Sequence, residues 1–202
     1  MSTILKVTSS FRGEASASNQ LSDAIVNQLK VKDATATVIE RDLVKEEVPH
    51  LDLNILMSFV TPEADRSEEQ QNIVNQSDEF IKEVMAADAI VIGVPMYNFT
   101  IPSVLKSWLD QIARAGVTFK YTAEGAVGLV EGKEVYLAIA TGGIYSEGPA
   151  AAVDFTESYL KAVLGFMGMT NVTAFRAEGM NIPEFAEKAV PNALAKVEEY
   201  SF

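Results

Sequence analysis

The chain has 202 residues, 48% of them hydrophobic, and carries a formal net charge of −12 with a pI near 4.5. That size and apolar share suit a single α/β domain over residues 1–202, and the acidic balance with no basic block argues against a nucleic-acid face, which needs cations to replace counterions. Cysteine is absent, so disulfides, thiolate catalysis and thiolate metal sites are excluded, and the single histidine, His50, cannot build a histidine metal cluster.

Ile4, Leu5 and Val7 mark a short buried strand ending in "TSS", and the polar loop "FRGEASAS" follows it. Leu21, Ala24, Ile25 and Leu29 then recur at helical spacing. "TATVIERDL" reads as a second strand. Residues 44–66, which contain Pro49 and Pro62, read as loop, with His50 a solvated or packing residue inside it. Ser67 looks like a helix cap, and Ile73, Ser77, Phe80, Ile81 and Val84 trace the buried face behind it.

"DAIVIGVP" is apolar almost throughout, the signature of a strand covered on both faces. Pro102 suits a first helical turn, and Val104, Leu105, Trp108 and Ile112 follow as an apolar stripe. "VTFKYT" and "GLVEGKE" form a small excursion. "KEVYLAIAT" is the fourth main strand, Tyr159, Val163, Phe166 and Met167 mark the next helix, "VTAFRAEG" is the fifth strand, and a helix from about Pro183 closes the chain. Strand and helix alternate five times, which predicts a doubly wound parallel sheet with helices on both faces.

The N-terminal apolar run is far shorter than a signal sequence, and no segment approaches the roughly 20 apolar residues of a membrane span. The expectation is a cytoplasmic protein with no membrane and no nucleic-acid partner. Asn98-Phe99-Thr100 and Asn171-Val172-Thr173 match a glycosylation pattern that has no role without secretion.

In such sheets ligands bind beyond the carboxyl ends of the strands. That singles out "SSFRGEASAS", "PMYNFTIP" and "TGGIYSEGP". The first lacks a dinucleotide glycine signature and a P-loop lysine. It places hydroxyls at Ser9, Ser10, Ser16 and Ser18 just before a helix, whose N-terminal N–H groups can hold a phosphate; alternatively Ser16 or Ser18 simply caps that helix. In the second, Tyr97 and Phe99 can flank a flat ring and Asn98 carries both donor and acceptor, or the loop packs on its own core. In the third, Gly142-Gly143 permits close backbone approach or a tight turn. A phosphate at one end and an aromatic ring system at the other match the shape of FMN.

"PMYNF" directly after the third strand, the "SS…SxSNQLS" loop, "ARAGVTFKYT" and "GGI…GP" together resemble the FMN-dependent NADH azoreductases, also described as NADH:quinone oxidoreductases. The likeness runs from about Leu5 to the last helix. It implies a flavodoxin-like fold, a homodimer, and one FMN per subunit. By match to the family motifs, Ser10, Ser16, Ala17 and Ser18 hold the phosphate side. Met96, Tyr97, Asn98 and Phe99 line the isoalloxazine, and Thr141, Gly142 and Gly143 meet its far edge. Tyr121 and Phe166 resemble aromatics that wall the pocket from the neighbouring subunit. Many members carry arginine just before the glycine pair, where this chain has Thr141, so a cation near the flavin or nicotinamide is missing there. Tyr145 stands where some relatives have histidine. The implied activity is two-electron reduction of quinones and azo compounds by NADH in a ping-pong cycle, with no catalytic acid or base and no metal, and the acidic chain with Thr141 points to NADH over NADPH. The alternatives are a flavodoxin-like electron carrier that binds FMN without turnover, and a flavin-free interaction protein on the same fold.

Overall fold

The computed structural model describes residues 2–202, the side chain of Glu14 excepted. Five parallel strands form the central sheet in the order β2-β1-β3-β6-β7. They are β1 (Thr3–Thr8), β2 (Thr37–Asp42), β3 (Ala89–Pro95), β6 (Glu134–Ala140) and β7 (Asn171–Ala177). β4 (Phe119–Thr122) and β5 (Gly125–Gly128) pair as a separate antiparallel hairpin, the excursion expected from the sequence. The helices are α1 (Ala17–Lys32), α2 (Leu53–Val60), α3 (Glu68–Ala86), α4 (Ser103–Ile112), α5 (Thr156–Phe166) and α6 (Pro183–Glu199).

Period-two alternation sends the strand side chains to two cores. Leu5, Ile90, Ile92, Val94, Leu137 and Ile139 meet Phe80, Leu105, Trp108 and Leu160 on the face covered by α3, α4 and α5. Ile4, Ala89, Val91, Tyr136 and Ala138 meet Leu21, Ile25, Ala193 and Val197 of α1 and α6 on the other. Every residue of β3 is buried, as its unbroken apolar run implies. The doubly wound reading is thus realised.

One expectation fails. Within residues 44–66 lies the helix α2, followed by a short 3-10 turn at Glu63–Asp65. Asp52 caps it by accepting from the Ile55 N–H at 2.8 Å. Only Ile55 and Ser58 are buried, while Leu53, Leu56, Met57 and Val60 are exposed. A helix apolar nearly all round has no amphipathic stripe to reveal it. Ser67 does start α3, with Gln70 completing a reciprocal capping box. Within α3, Val74 is fully covered where Ile73 is only partly so. His50 is exposed yet shares a 2.9 Å hydrogen bond between Nδ1 and Ser107 Oγ, which joins this segment to α4.

Candidate FMN site

β1 and β3 are neighbours in the sheet, yet their following helices cover opposite faces. The chain therefore diverges at their carboxyl ends and opens a crevice there. Ser10, Arg12, Ser16, Ala17, Met96, Tyr97, Gly142 and Asn181 line a cleft of about 220 Å³ at this point.

The serines divide their work. Ser9 is fully buried and donates to the Gly93 carbonyl at 2.7 Å, which fastens the loop to β3. Ser10 Oγ accepts from the Arg12 N–H at 3.3 Å. Ser16 is the N-cap of α1, with Oγ accepting from Asn19 N–H at 3.3 Å and lying 3.0 Å from Ser18 Oγ. The capping alternative is correct for Ser16, and it leaves the anion-binding potential intact. The Ala17 and Ser18 N–H groups have no acceptor among the described residues, as the first turn of a helix dictates.

Tyr97 and Thr100 exchange backbone hydrogen bonds at 2.9 and 3.1 Å, closing a tight turn whose central residues are Asn98 at φ 49° and Phe99 at φ 71°. Both lie in the left-handed region, as a type I′ turn requires. Asparagine tolerates it; a phenylalanine there is strained. The turn leaves the Asn98 and Phe99 N–H groups without an acceptor among the described residues. Phe11 stacks on Tyr97 with centroids 5.8 Å apart. A second, more apolar hollow of about 620 Å³ lies against the same turn, between Phe11, Tyr97, Pro102, Lys106 and Tyr159.

The third loop is built from β6 and held by β7. Thr141 is buried, its N–H donating to Ala177 O at 2.9 Å and its hydroxyl to Gly143 O at 2.7 Å. Its side chain thus shapes the glycine turn. A Cβ at Gly142 would come within 2.5 Å of Asn181 Nδ2, so that amide would have to move, and one at Gly143 would come to 3.0 Å from the Tyr145 ring, which would have to shift slightly. Tyr145 meets Phe99 edge-on, with centroids 6.3 Å apart.

Tyr121 and Phe166 lie elsewhere. The Phe155 N–H bonds Phe99 O beside the site, and α5 then runs 11 residues back along the sheet, about 16 Å at helical rise. Phe166 is at its far end, and the hairpin attaches there through Val130 N–H to Met167 O at 2.8 Å. Phe119 packs on Phe166 and Tyr121, with centroids 4.3 and 5.6 Å away. Tyr121 is 74% exposed. Neither residue reaches its own chain's cleft.

Arg12, Met180 and Asn181 are cleft residues that the sequence reading missed. The loop after β7 carries no motif of its own; the pairing of β6 with β7 is what places it beside Gly142-Gly143. Arg12 lacked any periodic or motif signal. Of the five arginines, Arg41, Arg66, Arg114 and Arg176 bond to other side chains or carbonyls, whereas Arg12 has no side-chain partner among the described residues. Arg176 is largely buried. Burial opposes its charge, but bonds to Asp154 and Glu157 and the field of Glu178 outweigh it and raise the guanidinium above its ordinary value.

The donor set fits FMN. Helix N–H groups and a guanidinium without a partner among the described residues suit a phosphate, and the N–H groups of the 97–100 turn, likewise without an acceptor there, suit the heteroatom edge of a ring.

A family model described as the flavodoxin-like fold matches residues 2–201. The chain is 48% identical over 196 residues to the FMN-dependent NADH:quinone oxidoreductase of Herminiimonas arsenicoxydans, covering 97% of this chain and 95% of that one. It is 48% identical over 200 residues to the protein of that name from Agrobacterium fabrum, covering 98% of each. Its structure is similar to an azoreductase from Bacillus anthracis at TM-score 0.90 and 37% identity, covering 98% of this chain and 97% of that one. It is also similar to an FMN-dependent NADH-azoreductase of Bacillus anthracis solved in complex with FMN, at TM-score 0.88 and 27% identity, covering 98% and 96% of the two chains. With a parallel five-stranded sheet, a donor-rich crevice at its switch point and relatives of this kind across nearly its whole length, the chain belongs to the flavodoxin-like FMN-dependent NADH azoreductase, or NADH:quinone oxidoreductase, family.

Proposed function

We propose that this chain is an FMN-dependent NADH oxidoreductase that reduces quinones and azo compounds by two-electron transfer in a ping-pong cycle. The observation that carries the reading is the placement, at the carboxyl ends of β1 and β3, of N–H groups without an acceptor among the described residues, at the start of α1 and in the strained 97–100 turn, around a cleft that Ala17 and Tyr97 line. When bound, FMN would supply the redox chemistry, a two-electron relay between NADH and the acceptor.

The protein residues bind, orient and exclude water. Ser10, Ser16, Ala17 and Ser18 hold the phosphate end, and Arg12 adds a cation beside them. Met96, Tyr97, Asn98 and Phe99 position the ring through backbone donors and aromatic walls. Thr141, Gly142 and Gly143 form its far edge, with the glycines allowing the backbone to come close. Tyr145 walls the acceptor side. None of these groups is assigned a proton-transfer role.

The protein is a cytoplasmic homodimer in this reading, and Tyr121 and Phe166 of the partner subunit complete the acceptor pocket. Support comes from their exposure and distance from their own cleft, and from the exposed Leu53, Leu56 and Val60 on α2. No helix among the described residues is long and apolar enough to cross a membrane.

Stopped-flow mixing of the FMN-loaded protein with NADH, then with a quinone, tests the activity. Fast bleaching of the flavin followed by fast reoxidation is expected. A protein that retains FMN but is not reduced by NADH would return the electron-carrier alternative. One that stays colourless with added FMN would reject both.

A further inference from the structure

The carboxyl end of β7 carries a charged cluster that the roles above leave unused. Glu178 Oε1 accepts the N–H groups of Tyr145 at 2.9 Å and Ser146 at 3.0 Å. Arg176 Nε lies 3.3 Å from the same oxygen, as an ion pair without hydrogen-bond alignment. The same guanidinium bonds Asp154 through Nη2, and Glu157 through Nη1 at 2.8 Å. Asp154 in turn accepts the Thr156 N–H at 2.8 Å at the start of α5.

These bonds have a common target. The segment from Gly142 to Phe155 connects β6 to α5 and contains only a short 3-10 turn, Pro149–Val153. A connection of this length without regular structure is free to move unless something holds it. Glu178 holds its beginning and Asp154 its end, and one guanidinium joins the two. Arg176, Asp154 and Glu178 side chains are 13%, 9% and 13% exposed, so water competes little for these contacts. Tyr145 is the residue whose backbone N–H the clasp holds. Its ring lies against Gly143 and meets Phe99 edge-on, spanning the two loops assigned to the flavin ring.

We propose that Glu178, clasped by Arg176, is a positioning residue that fixes Tyr145 across the mouth of the site and so sets the size of the aromatic acceptor admitted. The inference rests on the reading of this crevice as a flavin-dependent reductase site. Glu178 touches neither cofactor nor acceptor; it acts through two backbone bonds. Loosening them frees the tyrosine ring, so small acceptors lose a wall and large ones gain room.

The test compares Glu178→Ala, Glu178→Gln, Tyr145→Ala and the Glu178→Ala/Tyr145→Ala double variant as FMN-loaded protein. A single-ring benzoquinone and a two-ring azo dye serve as acceptors, and amide hydrogen exchange is followed at Tyr145 and Ser146. Glu178→Ala is expected to speed exchange at both amides at least tenfold. It should shift the ratio of kcat/KM for the two acceptors at least fivefold toward the dye, mainly through KM. FMN affinity of the apoprotein and the rate of flavin reduction by NADH should stay within twofold. Glu178→Gln keeps a carbonyl acceptor for both N–H groups and should remain near wild type. The double variant should match Tyr145→Ala. Additive losses in the double variant, unchanged exchange in Glu178→Ala, or a Glu178→Gln as damaged as Glu178→Ala would each overturn the proposal. If Glu178→Ala does not fold, Glu178→Asp withdraws the carboxylate by one methylene and is read by the same outcomes. Absence of turnover in the wild-type protein would reject the reductase reading instead, while the exchange measurement still decides whether Glu178 holds the loop.

Discussion

The Phe155 N–H donates to the Phe99 carbonyl at 3.0 Å, which ties the strained turn after β3 to the residue that precedes α5. Two L-residues with positive φ persist here because both sides of the turn are anchored, by Tyr97–Thr100 pairing and by this bond. Replacing Asn98 by Ala should cost about 1 kcal/mol of stability, because alanine has no preference for the left-handed region. Asn98→Gly should be milder, since glycine adopts that region freely. Denaturant midpoints of the apoproteins check this; equal midpoints for the two variants would mean the turn is not strained in solution.

Ser16 is both cap and cleft residue. Ser16→Ala should lower stability by about 1 kcal/mol through loss of the cap. It should also weaken FMN binding by roughly 1.5–3 kcal/mol if the hydroxyl meets the phosphate, on the order of tenfold or more. Fluorescence titration of apoprotein with FMN measures the second effect. An unchanged dissociation constant would move the phosphate away from the start of α1.

Arg12 is an exposed guanidinium, so its attraction for a phosphate is screened. Arg12→Ala should weaken FMN binding by about 0.2–1 kcal/mol at low salt, and the difference from wild type should shrink as salt rises. A loss that is independent of ionic strength would point to packing in place of charge.

Tyr136 lies in the α1/α6 core, its hydroxyl donating to Glu134 at 3.0 Å. Burial, then the hydrogen bond and the negative charge of Glu134, raise its pKa above the ordinary tyrosine value. The folded state therefore holds this proton more tightly than the unfolded state does. Its contribution to stability is complete below the unfolded pKa of about 10 and declines as pH rises from there toward the higher folded value. Tyr136→Phe should flatten the loss of stability above pH ~10, as followed by urea unfolding at a series of alkaline pH values. Parallel pH profiles for the two proteins would contradict the assignment.

A homodimer with shared sites makes a further prediction. Light scattering should give a dimer at micromolar concentration, roughly the range expected for a specific interface. Tyr121→Ala and Asn98→Ala, each impaired alone, should regain activity when mixed and reassembled, because some dimers then carry one intact site. A monomer, or no gain on mixing, would place Tyr121 outside the pocket.

Backbone periodicity and strand-end loops were legible in the sequence because they depend on local pattern: unbroken apolar β3, the Ser67 capping box, glycines where a turn must tighten, and "PMYNF" at a strand end. These also pointed to the crevice and to FMN. What needed tertiary structure was everything set by neighbours distant in the chain. α2 is apolar on faces that the rest of the chain leaves uncovered, so its sequence shows no boundary between inside and outside. Thr141 reads in the sequence as one polar residue before a glycine pair, but only the tertiary structure shows that its hydroxyl is turned onto Gly143 beside the paired ends of β6 and β7. Arg176 and Glu178 look like ordinary alternating charges at the end of a strand, and Asp154 and Tyr145 lie 22 and 33 residues away from them respectively. Sheet closure brings these groups together in a poorly solvated place, where a carboxylate and a guanidinium can hold a loop that local sequence alone leaves free.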